Sequence, residues 1–322
     1  MIWLGKKRGN LSDWTTQRWV QATGRRLVLS EYPWLDGPTG NTLGIGQDFF
    51  LNYARDQQLE LITTGVRGLL PTFSLLEGNR DLHKVAPLLR EFYERTSEFD
   101  LDAWSEWSSL FRPFGRALGL LFSRRLQQLN VPLSSLDSSK GMTSNVLPIR
   151  DPGFGTVVQT AWVRELRVTK NVLYAGSYSV CMIPEHPYPC IKVVFPLPNG
   201  NAIVLMKVEV HEDGSLSIQS IGDRFGEPGF YFVVHQGNGV IWARYVKAMK
   251  EEIRVYAGET EVGRADHLMV VGKSFSAPSL QNAATQIIWP RLKRQPRPFG
   301  FRSDYCTLIV MVCVLRSNWL VA

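Results

Sequence analysis

The sequence predicts an α+β protein in which an N-terminal helical layer precedes a long antiparallel β-meander, bent into a curved sheet or a barrel. Three observations lead there. Apolar residues recur at three- and four-residue steps through the first 130 residues, then alternate at period two from Gly155 to Gly272. The second stretch is also punctuated by residues that close tight hairpins.

In chain order, the Gly- and Pro-rich segment EYPWLDGPTGNTLGIG reads as a loop leading into a helix over 47–61. Asp81 reads as the N-cap of a helix over 82–96 with Val85, Leu88, Leu89 and Phe92 on one face. From Asp102 to Leu129, Trp104, Trp107, Phe111, Phe114, Leu118 and Phe122 form an apolar helical stripe, kinked where Pro113 removes an internal hydrogen bond. Burial against the β-region is the plain reading of that stripe. Its basic remainder, with Arg112, Arg116, Arg124 and Arg125, also suits a helix lying on a membrane surface.

The Ser- and Gly-rich stretch VPLSSLDSSKGMTSN marks the boundary between a mainly helical region, 1–145, and a β-domain, 146–276. Nine strands are expected there: Thr156–Val168, Val172–Met182, Cys190–Leu197, Ala202–His211, Ser215–Ile221, Phe230–His235, Val240–Val246, Glu252–Ala257 and His267–Gly272. The turns LPNGN, HEDGS and HQGNG carry Asn-Gly, Asp-Gly or Gly-Asn-Gly where positive φ is needed, so consecutive strands should pair antiparallel. Past Ser276 the alternation stops and basic residues gather between Arg291 and Arg302. Residues 277–322 therefore read as an irregular basic tail, either disordered or translated out of frame, with no strand completing the meander.

Composition narrows the function. In 322 residues, 44% are hydrophobic and 20% charged, which excludes wholesale disorder. The net charge of +7 sits at the two ends, six cations against Asp13 in residues 1–26 and six against Asp304 in residues 277–322. The body between them is mildly acidic, a poor platform for nucleic-acid phosphates. Four scattered cysteines, Cys181, Cys190, Cys306 and Cys313, point to a reducing, cytoplasmic setting rather than a disulfide framework. The start MIWLGKKRGN lacks a secretory pattern, and the longest apolar run, Leu308 to Leu315, is too short to span a bilayer.

No cofactor motif is complete. LGIGQDFF offers Gly44 and Gly46 before a helix but lacks the preceding strand and third glycine of a dinucleotide site, so a plain loop is expected. Cys181, His186 and Cys190 are zinc-type ligands one short of a set, and no GxSxG elbow is present. The β-region holds the better candidates. Period-two parity puts Val204, Met206, Val208 and Val210 on one face and Lys207, Glu209 and His211 on the other. Tyr174, Tyr178, His235, Trp242 and Arg244 are expected to wall a cavity between sheet and helices that holds an apolar or amphiphilic small molecule. Two alternatives accompany it: an enzyme using His235 with Glu209 or Lys207 as acid and base, and a peripheral protein attached to a membrane surface through the 102–129 stripe and the basic ends.

Overall fold

The computed structural model describes residues 11–40, 45–46, 48–99, 102–105, 142–166, 172–258, 262–271 and 284–290. Three α-helices are present among them, α1 (Leu11–Thr23), α2 (Phe49–Asp56) and α3 (Pro87–Glu94). Short 3₁₀ turns lie at Leu29–Glu31, Pro33–Leu35, Phe73–Leu76, Leu82–Lys84 and Thr96–Glu98. The strands are β1 (Arg25–Val28), β2 (Glu60–Leu61), β3 (Asp102–Ser105), β4 (Met142–Asp151), β5 (Thr156–Leu166), β6 (Val172–Ile183) and β7 (His186–Leu197). They continue with β8 (Gly200–Val210), β9 (Leu216–Gln219), β10 (Gly229–Gly237), β11 (Val240–Tyr245), β12 (Met249–Ala257), β13 (Val262–Val271) and β14 (Ala284–Pro290).

The protein is α+β, few helices on a long antiparallel sheet, and all nine expected strands are found. The hairpin turns have the backbone their residues imply: Asn199, Gly214 and Asn238 all take positive φ. Strands β4 to β9 pair in succession, as do β12 to β14. The order breaks at β8, whose residues 200–205 pair with β10 while Lys207–Val210 pair with β9. From that fork one arm runs through β10 and β11 to β1, the other through β9, β12, β13 and β14 to β3. The described strands do not close on themselves, so the sheet is open rather than a barrel.

Several local expectations are corrected. Asp81 adopts left-handed φ and caps nothing with its side chain; a 3₁₀ turn follows, and the α-helix starts at Pro87, whose ring presets the first helical φ. Residues 102–105, expected to open the long helix, form β3, with Trp104 opposite Gln286 of β14. Aromatic spacing over so few residues fits strand as well as helix, and the sheet edge supplies the hydrogen bonds. Residues 106–129, the rest of that stripe, lie outside the described residues. Strand β14 itself falls where no strand was expected: its run ATQIIWP pairs with β13, short enough to be hidden by the basic cluster that follows. The remainder of the tail, 291–322, is likewise outside the described residues.

The middle of the sheet is buried on both sides, where one apolar and one wet face were expected. On β10, Phe230, Phe232 and Val234 join a core under α1 and α3, while Tyr231 and Val233 join a second core beneath Trp34 and Leu35. A third core lies under α2, where Phe49, Phe50 and Ala54 meet Ile149, Ala161, Val163 and Ala175. Strand alternation still sorts side chains between faces, but other segments cover both.

Candidate functional site

The site forms on the Trp34 side of the sheet, from a loop, a helix and the end of a strand. After the 3₁₀ turn at Pro33–Leu35 buries Trp34 and Leu35, Asp36 turns out and its Oδ1 accepts the Gly37 N–H at 2.8 Å. Asn201 Nδ2 of β8 donates to the carbonyls of Gly37 and Pro38. Gly40 then lies against the β7–β8 turn, its N–H donating to the Gly200 carbonyl at 3.2 Å. Only glycine fits there, because a Cβ would stand 2.7 Å from the Leu197 carbonyl oxygen. This backbone is thus held to the sheet by hydrogen bonds and by close approach.

Helix α2 supplies the opposite wall. Phe50 and Ala54 point into the core, and the next stripe around the helix, Phe49, Asn52, Tyr53 and Asp56, faces the gap. The rings of Phe49 and Tyr53 stack at 6.1 Å. Burial raises the Tyr53 phenol pKa, against a hydrogen bond with Gln159 that lowers it. Between these walls is a cavity of about 390 Å³, open on one side, lined by Asp36, Gly37, Thr39, Gly40, Ile45, the α2 stripe, Gln57 and His235.

His235 is the sheet's contribution. Its backbone N–H donates to the Asn199 carbonyl at 2.9 Å, and a bulge follows between His235 and Gly237. Its Nε2 is buried without a hydrogen-bond partner among the described residues. Burial lowers its pKa, only partly opposed by Asp36, so the ring is neutral at pH 7. The His235 ring lines the cavity, but its Nε2 has no accessible surface and would reach a ligand only after the ring turns.

The sequence-chosen residues do not assemble into one wall. Tyr178 packs edge-on against Trp162 at 5.7 Å on the α1 and α3 side. Trp242 is on that side too, with Nε1 donating to Gln236 Oε1, and Arg244 donates from Nη1 to the Thr23 carbonyl at the end of α1. Strands β7, β8 and β10 stand between Tyr178 and Trp242, four interstrand steps or roughly 19 Å. His235 belongs to the opposite face. Tyr174 pairs with Arg164 through its backbone, and its side chain lies outside the description.

The acid–base set does not converge either. Lys207 and Glu209 share the face of His235 but pair with Gln219 and Ser217 at the far end of β8. Because His235 bonds Asn199, eight strand positions separate it from Lys207, about 26 Å and far beyond proton-transfer reach. Cys181 and Cys190 face each other across β6 and β7, and His186 Nδ1 accepts the Tyr188 N–H. Asp36, Asn52, Tyr53 and Asp56 were not among the expected site residues. The α2 stripe was visible as i, i+3, i+4, i+7 spacing beside the buried face, but nothing local says what it faces.

Among curated proteins the chain is similar to the uncharacterised membrane protein YndJ of Bacillus subtilis (strain 168), 26% identical over 195 residues. That match covers 60% of this chain and 34% of the relative, so the chain spans about a third of its length. No family model matches, and no solved structure matches. Among the described residues, no helix is long and apolar enough to cross a membrane.

Proposed function

We propose that the protein binds a small amphiphilic molecule in the cleft between α2, the 36–40 loop and His235, without transforming it. The observation that carries this reading is a cavity of about 390 Å³ between helix and sheet, a volume within the range of ligand pockets. The lining is amphiphilic in the same sense: Ile45, Phe49 and the Tyr53 ring are apolar, while Asp36, Asn52, Asp56 and Gln57 are polar. The cleft lies between sheet and helix. A cytoplasmic setting goes with this reading, since four scattered cysteines do not make the disulfide framework of a small secreted domain.

A thermal-shift screen with fatty acids, isoprenoid alcohols, aromatic acids and alkyl amines tests it. At least one class should raise the midpoint, and Asn52→Trp, which fills the cleft from an exposed helical position, should abolish the rise. Failure of every class, or a rise that survives Asn52→Trp, overturns the reading.

Attachment to a membrane surface is the second reading, favoured by the name of the relative and by Phe154, 83% exposed at the tip of the β4–β5 hairpin. Cosedimentation with anionic vesicles that is lost in Phe154→Ser would support it; sedimentation indifferent to that change would not.

A further inference from the structure

We infer that the cleft takes an organic cation, an ammonium or guanidinium group carried on an aromatic or hydrocarbon body. The inference rests on the small-molecule reading and specifies its ligand. Among the lining residues there are two carboxylates, Asp36 and Asp56, and no lysine or arginine. An anionic ligand would meet repulsion from both. Lys192 donates to the backbone carbonyl of Asp36 at 3.0 Å and offsets part of that residue's charge, while the Asp36 carboxylate accepts the Gly37 N–H and lines the cleft.

Three further features agree in sign. Asp56 is the last residue of α2, where the helix macrodipole places partial negative charge. The stacked Phe49 and Tyr53 rings line the same cavity, and aromatic faces attract cations through their quadrupole while giving a flat body something to lie against. His235 lines the cleft as a neutral ring, so it adds no positive charge to oppose a cation. A bare metal ion is a poorer fit. Among the described residues no three His, Cys, Asp or Glu side chains come together to hold one, whereas separated carboxylates suit an extended ligand.

The charge rule can be read with three probes of one shape: phenethylamine, 2-phenylethanol and phenylacetate, titrated calorimetrically into the full chain at pH about 7.5 and about 50 mM salt, where screening is modest. Phenethylamine should bind, 2-phenylethanol about tenfold more weakly, and phenylacetate least. Asp36→Asn keeps an oxygen for the Gly37 N–H and should weaken the amine about fivefold and the alcohol by less than about twofold; Asp56→Asn should do the same. Should alcohol or acid bind as tightly as the amine, with Asn52→Trp abolishing both, the cleft reading survives and the cation inference is wrong. Amine binding indifferent to both Asp→Asn changes also overturns the inference. No binding by any of the three probes overturns the cation inference, and the cleft reading then stands or falls on the thermal-shift screen.

Discussion

Asn199 and His235 are joined by one hydrogen bond, the His235 N–H donating to the Asn199 carbonyl at 2.9 Å, and through it the β7–β8 turn holds two walls of the cleft. The Asn199 N–H in turn donates to the Gly40 carbonyl at 3.1 Å. The turn therefore fixes both the loop that carries Asp36 and the strand end that carries His235.

Asn199 has φ of +56°, a left-handed conformation that asparagine and glycine tolerate and alanine does not. Asn199→Ala should lower stability by about 1 kcal/mol, whereas Asn199→Gly should stay within a few tenths. Urea midpoints of the two variants measure the difference. An equal loss in both would mean that the side chain, rather than the backbone angle, matters at this turn.

Phe50 is completely buried beneath α2, against Ile149 and Ala161. Truncation to alanine should cost about 3–5 kcal/mol and loosen the helix that carries Phe49, Asn52, Tyr53 and Asp56. Chemical denaturation gives the loss, and faster amide exchange within α2 than in β10 would locate it.

The His235 ring is buried neutral, its pKa depressed below the ordinary imidazole value of 6.5. The unfolded chain therefore binds more protons than the folded one as pH falls, so the contribution of the neutral ring is complete above pH about 6.5 and is lost below it. His186, also depressed by burial, acts with the same sign. Urea midpoints at about pH 7.5 and about pH 5 should show a smaller acid loss in His235→Gln than in the parent, with a residue of the effect left for His186. An identical acid loss in the two proteins would show that His235 does not titrate as its burial dictates.

Burial pushes the Cys190 thiol up to about 12 and raises Cys181 as well. With Cys306 and Cys313 replaced by serine, the folded protein should react with a thiol reagent at pH about 8 at least about 100-fold more slowly than the same chain in denaturant, because only thiolate attacks. Rapid labelling of the folded protein would mean that the Cys181–Cys190 region opens readily.

What the sequence determined by itself was local. Alternation over Ala202–His211 marked β8, and the residues of LPNGN required the positive φ found at Asn199, because strand period and turn backbone depend on a few neighbouring side chains. Parity also placed Tyr231, Val233 and His235 on one face of β10, since the pleat leaves no choice once the strand exists. Tertiary structure decided what covers each face. Loop 36–40 and α2 meet His235 across roughly 180 to 200 positions of chain, and strand period carries no information about which distant segment lies over a surface. The fork at β8 had the same origin: the pattern of a strand says that it pairs, while the choice between β9 and β10 along its length follows from how the two arms bury their apolar faces.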